Sequence, residues 1–172
     1  MKNILLTGKP GCGKTTVIKK TLEKLQGINA AGFFTEEIRE EGERKGFRVS
    51  SLNGEEATMA HVDFKGSAAV GKYKVDVEKV EDIAANSLIK GKINADLIVI
   101  DEIGKMELFS ELFKISVLEA LASPKKVLGT ITKTDDKFVQ DIKERNDVSM
   151  IEVTRENRDT LPEEIVKLLS FG

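Results

Sequence analysis

The sequence is poor in the residues that mark several classes of protein. Its 172 residues include no tryptophan, one tyrosine, one histidine and one cysteine. A single cysteine excludes an internal disulfide and is typical of a reducing compartment, so we expect a cytoplasmic protein. No apolar run approaches the roughly 20 residues that cross a bilayer, and a strand-like pattern begins directly after Met1-Lys2-Asn3. We therefore expect neither a membrane span nor a targeting peptide.

Net charge, composition and length indicate which class of protein the chain belongs to and how many domains it has. The net charge of −2 lacks the basic excess that favours binding to nucleic acid. Hydrophobic residues make up 40% of the chain and charged residues 33%, which is the composition of a globular protein. The length suits one domain, residues 1–172, better than two.

A glycine-rich segment near the start is the strongest motif. An apolar run, Ile4-Leu5-Leu6, leads into a turn with three glycines, and apolar residues at helical spacing follow. The P-loop motif for phosphate binding, Gly-x-x-x-x-Gly-Lys-Ser/Thr, requires this strand–turn–helix context. Glycines let backbone N–H groups approach phosphates, and the helix start adds partial positive charge. The predicted nucleotide-binding residues are Gly8, Lys9, Pro10, Gly11, Cys12, Gly13, Lys14, Thr15 and Thr16.

Three side chains of this loop have more specific expectations. Lys14 has the reach to contact the β- and γ-phosphates, and the hydroxyl of Thr15 is a predicted Mg²⁺ ligand. Cys12 is either a small loop residue whose backbone binds phosphate or a reactive thiol. The alternative for the whole motif is a glycine-rich turn with an incidental lysine.

Beyond the loop, the patterning alternates between strand and helix periods. The run 95–100 is apolar apart from Asp96, and such runs are typical of strands buried at the centre of a parallel sheet. The alternation predicts an α/β fold, a mostly parallel sheet with helices on both faces. Ligands of such sheets bind at the carboxyl ends of the strands.

A β-rich segment interrupts the alternation. Three strand-like patterns follow the first helix, and Asn53-Gly54 between the last two is a strong hairpin signal. We predict a β-hairpin insert at about 32–61. The three strands are expected at 32–39, 46–52 and 56–61.

Local signals give further boundaries. Residues 64–73 read as a loop or irregular strand. Asp76 is a predicted N-cap, and Gly91 is predicted to end the helix that follows. Thr160 and Glu163 fit a capping box at the start of the last helix.

Two carboxylates follow the apolar run 97–100. In a P-loop protein this is the Walker B pattern, in which Asp101 binds Mg²⁺ beside Thr15. Glu102 is then placed to orient and deprotonate an attacking water. The alternative is that both residues begin a solvated loop.

Four blocks of sequence together resemble the THEP1 family of nucleoside-triphosphatases. They occur in the right order, and the resemblance extends over essentially the whole chain. They are GKPGCGKTT at 8–16, GFFTEEIR at 32–39, DEIGKMEL at 101–108 and ENRD at 156–159. The resemblance implies a RecA-like P-loop fold with an inserted hairpin. It also implies slow, Mg²⁺-dependent hydrolysis of ATP, GTP, CTP, UTP and TTP to the diphosphate.

Other residues near these motifs have two open interpretations each. Lys105 either contacts the γ-phosphate as a built-in cationic finger or pairs with Glu102 or Glu107. Thr132 either hydrogen-bonds the γ-phosphate or the attacking water, or simply caps its strand.

The same holds for two more sets of residues. Asn157 and Arg158 follow the last strand, where loops often cover the nucleobase, and an arginine plane stacks on any base. The alternative is a salt bridge from Arg158 to Glu156 or Asp159.

Three charged residues of the predicted hairpin either line a lid or acceptor site or form a solvated edge. They are Glu36, Glu37 and Arg39.

Two other functions are compatible with these motifs. In a small kinase, Glu102 would deprotonate an acceptor hydroxyl instead of water. In a nucleotide-switched binding module, slow hydrolysis would time an interaction made by the hairpin. The expected partners are nucleoside triphosphates, and an unidentified protein or acceptor partner stays open.

Overall fold

Continuous apolar strands build the centre of the sheet. The computed structural model describes residues 1–171. Its central strands are buried along almost their whole length, because helices cover both of their faces. Five strands pair in parallel in the order β2-β7-β8-β1-β9. They are β1 (Asn3–Thr7), β2 (Ala30–Glu40), β7 (Leu97–Ile103), β8 (Lys126–Ile131) and β9 (Val148–Glu152).

The second part of the sheet is antiparallel and starts from the same β2. This strand pairs with β7 as far as Phe33, and its remainder pairs with β3. The predicted insert at 32–61 therefore starts inside a strand of the parallel part. Within the predicted loop at 64–73 lies one short strand, β5. The antiparallel strands are β3 (Glu43–Ser51), β4 (Glu56–His61), β5 (Ala69–Val70) and β6 (Tyr73–Val75).

Helices cover both faces of the parallel strands. On one face α1 and α6 pack over Ile4, Leu6 and Val99, and on the other α3, α4 and α5 pack over Leu5 and Ile98. The predicted α/β fold, with helices on both faces of a mostly parallel sheet, is confirmed. The helices are α1 (Lys14–Lys24), α2 (Val77–Lys79), a π-helical turn (Val80–Ala85), α3 (Asn86–Asn94), a 3₁₀ turn (Glu107–Phe109), α4 (Glu111–Ala122), α5 (Lys137–Lys143) and α6 (Leu161–Leu169). None of the helices in residues 1–171 has the length and apolar character to span a membrane.

Some predicted helix boundaries are confirmed and others are wrong. Asp76 caps α2, because its side chain accepts a hydrogen bond from the backbone of Lys79. Gly91 lies inside α3, where a Cβ would be 3.1 Å from the Cβ of Ala31, so it permits close packing on β2. The predicted capping box is wrong, since the hydroxyl of Thr160 donates to the carbonyl of Asn157.

Gly32 lies at the junction of the parallel and antiparallel parts. Its φ is +129°, and a Cβ there would lie 1.9 Å from the carbonyl oxygen of Val99 on the neighbouring strand. Gly32→Ala should therefore push β2 away from β7 and lower the free energy of unfolding by about 3 kcal/mol. Urea denaturation measures this change.

Gly42→Ala is the matched control. Gly42 also has a positive φ, +80°, but a Cβ there meets no atom within 4 Å. The control should lose only about 1–2 kcal/mol, the cost of a left-handed backbone for an L-residue. Equal losses in the two variants would contradict the proposed contact between the strands.

Candidate active site

The loop between β1 and α1 curls around the amine of Lys14. The amine donates hydrogen bonds to the carbonyl oxygens of Gly8 and Lys9, at 3.0 and 3.2 Å. A Cβ on Gly8 would lie 2.8 Å from both the Cys12 sulfur and the carbonyl oxygen of Val153, so only glycine fits there. The loop therefore concentrates positive charge and backbone N–H groups at one end of the sheet.

Asp101 lies next to this loop, although the two are far apart in sequence. The hydroxyl of Thr15 donates to Oδ2 of Asp101 at 2.6 Å, and the hydroxyl of Thr130 donates to Oδ1 at 2.7 Å. Asp101 is only 3% exposed. Burial raises the pKa of its carboxyl group above the usual value, and the hydrogen bonds from Thr15 and Thr130 oppose that shift.

Sequence reasoning missed Thr130. The only signal was one hydroxyl residue in the otherwise apolar Val-Leu-Gly-Thr-Ile of β8. Threonine is also a good strand former, so this signal carries no information about Asp101.

The oxygen atoms of Thr15 and Asp101 fit a magnesium ion. Mg²⁺ prefers hard oxygen ligands and usually takes only one or two from the protein, with phosphates and water supplying the rest. Over residues 1–171 no group of three or more His, Cys, Asp or Glu side chains could hold a metal. Thr15 and Asp101 supply two oxygen ligands, and such a pair suits an ion whose other ligands are phosphate and water.

Glu102 follows Asp101 in β7, and its carboxyl group and that of Glu107 both lie beside Gly104. Its Oε1 lies 2.7 Å from the point that a Cβ on Gly104 would occupy, and Oε2 of Glu107 lies 2.9 Å from the same point. Burial and the nearby charge of Asp101 raise the pKa of Glu102, while Lys14 lowers it. Sequence reasoning had considered Glu107 only as an ion-pair partner of Lys105.

Lys105 and Thr132 flank this region. Lys105 is exposed, and among the ion pairs of residues 1–171 it has none with Glu102 or Glu107, so that interpretation is wrong. Thr132 follows β8, and its backbone N–H donates to the carbonyl of Ile103 at 3.1 Å. This bond places Thr132 beside the end of β7.

The loop after β9 places Arg158 beside the phosphate loop, whereas the amide of Asn157 is bonded to the backbone of the loop itself. The Asn157 side chain accepts a hydrogen bond from the backbone of Thr154 and donates one to the carbonyl of Glu152. These two bonds fix the shape of the loop, and the contact of Asn157 with a nucleotide stays a prediction. The Cδ of Arg158 lies 3.4 Å from the Cβ position of Gly13.

Two cavities flank the phosphate loop on this side. Arg158 lines a cavity of about 250 Å³ together with residues of α1, including Thr16 and Lys20. The other, of about 390 Å³, lies between residues 9–12 and 152–156. The salt bridge to Glu156 or Asp159 that was the alternative for Arg158 is not among the ion pairs of residues 1–171.

The charged hairpin residues have partners on the surface. Glu36 pairs with Lys19 of α1 at 3.2 Å, and Glu37 pairs with Arg39 at 2.8 Å and Arg44 at 3.1 Å. Because all these side chains are substantially exposed, the pairs contribute little to stability. Only the pair between Glu36 and Lys19 links the hairpin edge to α1.

Three features of this site define a P-loop nucleotide-binding protein. A phosphate loop follows β1, and a buried aspartate near the end of β7 accepts a hydrogen bond from the loop's threonine. The strand β8 lies between β1 and β7 in the sheet. The chain belongs to the NTPase family, whose model matches residues 3–166.

Curated relatives agree with this assignment. The nucleoside-triphosphatase THEP1 of Thermotoga sp. (strain RQ2) is 48% identical over 169 residues, which span 98% of this chain and 96% of the relative. The human cancer-related nucleoside-triphosphatase is 40% identical over 180 residues, covering 96% and 95%. The crystal structure of THEP1 from Aquifex aeolicus superimposes with a TM-score of 0.89 at 38% identity, covering 98% of this chain and 99% of that one. The resemblance to the THEP1 family is thus confirmed.

Thr130→Val should weaken the site without changing the shape of the strand. Valine fills the same volume but removes the hydrogen bond to Asp101, which then loses one of its two fixed partners. We expect the Mg²⁺ concentration for half-maximal nucleotide binding to rise about 10- to 100-fold. Fluorescent nucleotide titrated against Mg²⁺ measures this. Thr130→Ser keeps the hydroxyl and should bind like the wild type; a Val variant that also does so would contradict the role of the bond.

Glu107→Gln should stabilise the protein at high pH. Burial, with the charge of Glu102, holds the pKa of Glu107 well above the usual value of 4.5. The folded protein therefore keeps a proton that the unfolded chain releases, and the free energy of unfolding falls as the pH rises from 4.5 through the folded pKa. Glutamine does not titrate, so the variant escapes this loss.

Urea denaturation at about pH 5 and about pH 8 measures the difference, since the loss in the wild type grows as the pH rises above the usual value of 4.5. The stability gain of Glu107→Gln over the wild type should be larger at the higher pH. Exposed Glu111→Gln is the control and should show no such change. An equal gain at both pH values would contradict the raised pKa.

Proposed function

We propose that the chain is a Mg²⁺-dependent nucleoside-triphosphatase that hydrolyses ATP, GTP, CTP, UTP and TTP to the diphosphate and phosphate, with slow turnover. The observation that carries this proposal is the contact between Thr15 and Asp101, with Lys14 on one side and Glu102 on the other. It joins the phosphate loop, a magnesium ligand set and a candidate base at one edge of the sheet. The names of the relatives support the same reaction.

Each residue has one task in this reaction. The loop N–H groups and Lys14 bind the phosphates, and Thr15 and Asp101 would hold Mg²⁺. The ion, when bound, neutralises charge that develops on the phosphate oxygens. Glu102 accepts a proton from water, the water oxygen forms a bond to the γ-phosphorus, and the bond from that phosphorus to the β–γ bridging oxygen breaks, leaving the diphosphate.

Broad base specificity is supported by the loop after β9. Base edges are told apart by fixed hydrogen-bonding groups such as a side-chain amide. The Asn157 amide accepts one bond from the backbone of its own loop and donates one to it, which leaves fewer of its polar groups for a base edge. Arg158 lines the cavity beside the phosphate loop, and its planar group stacks on any base.

Lys105 is proposed to assist at the γ-phosphate. Lys105 is exposed and follows Glu102 in the loop after β7, with no carboxylate partner among the ion pairs of residues 1–171. A cationic group that contacts the transferring phosphoryl group stabilises its charge in the transition state.

Phosphate release from a panel of the five nucleoside triphosphates tests the function. Wild-type protein with Mg²⁺ should release phosphate from all five without an added acceptor. Glu102→Gln should still bind Mg²⁺–nucleotide but lose about 10²- to 10⁴-fold in turnover, because the amide does not accept the water proton. Unchanged turnover in this variant would remove Glu102 from the mechanism.

Lys14→Ala is the contrasting variant. It should weaken nucleotide binding and turnover together, since the amine contacts phosphates in both the ground state and the transition state. Two results would favour other functions. Release that begins only when a nucleoside, nucleotide or RNA end is added would favour a kinase. Release that accelerates only with a protein or nucleic-acid partner would favour a nucleotide switch.

A further inference from the structure

Glu107 is a buried carboxyl group that the proposed reaction does not use. It is only 3% exposed, in a chain where most charged residues lie on the surface. None of the ion pairs formed within residues 1–171 involves Glu107. A buried acid without a cationic partner costs folding free energy, so it is usually kept for a function.

The turn that carries Glu107 is fixed at both ends. The backbone N–H of Leu108 donates to the carbonyl of Gly104 at 3.1 Å, and that of Ser110 donates to the carbonyl of Glu107 at 3.1 Å. The Ser110 side chain accepts a bond from Phe113 at the start of α4 and donates one to Glu81 in the π-helical turn. The backbone of the turn at Glu107 is therefore anchored through Ser110 to the start of α4 and to the π-helical turn.

Gly104 leaves room for Glu107 to reach Glu102. The Oε atoms of the two glutamates lie 2.9 and 2.7 Å from the position that a Cβ on Gly104 would occupy. A side chain at position 104 would therefore crowd both carboxyl groups, and glycine leaves the space beside them open. The two carboxyl groups thus lie beside the same glycine, with Glu107 in the 3₁₀ turn and Glu102 near the end of β7.

A general base needs a fixed direction as well as a suitable pKa. A glutamate side chain has three rotatable bonds, and a neutral carboxyl group beside it donates an O–H that selects one orientation. Burial raises the pKa of Glu107 well above its usual range, the charge of Glu102 adds to this, and hydrogen bonds from the backbone of Glu107 and Gly104 oppose it. Glu107 is therefore the member of the pair that keeps its proton.

We propose that Glu107 is a positioning residue that orients the carboxylate of Glu102 towards the attacking water by a hydrogen bond across Gly104. This role rests on the proposed hydrolysis and adds to it a residue that does not touch the substrate. Glu107 acts only through Glu102, and this sets it apart from a residue that merely stabilises the turn.

Two substitutions separate the proposed role from a structural one. Glu107→Met keeps the length of the side chain but cannot donate a hydrogen bond, whereas Glu107→Gln keeps a donor in its amide. With ATP and Mg²⁺, Glu107→Met should lower kcat about 10- to 100-fold. Its KM should stay within about twofold of wild type, because nucleotide binding does not involve Glu102. Glu107→Gln should keep kcat within about threefold.

The same substitution in the Glu102→Gln background tests whether Glu107 acts through Glu102. There, Glu107→Met should reduce the residual rate no further, because the carboxylate to be oriented is absent. A further loss of about tenfold would overturn the proposal. So would wild-type kcat in a folded Glu107→Met protein, or equal losses in the Met and Gln variants.

Wild-type phosphate release distinguishes the two levels of inference. If the wild type releases no phosphate, the proposed function has failed and the positioning role falls with it. If the wild type is active, the activities of the variants test only the positioning role of Glu107. Should Glu107→Met fail to fold, Glu107→Asp replaces it: the shorter acid withdraws from Glu102 and should lose about tenfold in kcat, and wild-type kcat in Glu107→Asp would overturn the proposal.

Discussion

The hydrogen bond from Thr15 to Asp101 joins the two halves of the site, and its geometry depends on the order of the strands. The donor starts α1 and the acceptor ends β7, while β8 lies between β7 and the strand before the phosphate loop. β8 fills the gap with Thr130, which holds the second oxygen of Asp101. One carboxylate is thus fixed by its neighbour in the sheet and by the helix above it.

Three carboxyl groups gather at this edge, and each has a raised pKa because it is buried. Such a cluster is unfavourable for folding at neutral pH, since charges taken out of water are costly and repel one another. The surrounding structure opposes this cost with threonine hydroxyls at Asp101, the charge of Lys14 and backbone groups at Glu107. The site exchanges some stability for a base and a metal ligand in fixed positions.

The parts of the fold that sequence patterns predict are those determined locally. The apolar run of β7, the glycine-rich turn and the N-cap at Asp76 each reflect neighbouring residues, and all three appear in the structure. Gly91 resembles a helix stop in the sequence, yet it serves a contact with Ala31, which is about 60 positions away and on another element.

In the candidate site, too, some residues are predicted by local sequence and others depend on tertiary contacts. The motifs identify Lys14, Thr15 and Asp101, because their chemistry fixes residue type and spacing. Thr130 reads as an ordinary strand residue, and the sequence suggests for Glu107 only an ion pair with Lys105. Their contacts with Asp101 and Glu102 come from tertiary packing, which no local pattern encodes.

The pairing of β1 has a consequence for how the chain becomes competent during synthesis. This strand carries the phosphate loop, but its only partners in the sheet are β8 and β9, the last two strands made. Contacts so distant in sequence form late, after the loops between them have closed. On the ribosome, the antiparallel strands have their partners long before β1 does. The nucleotide site is therefore among the last parts to assemble, and a nascent chain gains no stability from nucleotide until its final strands have emerged.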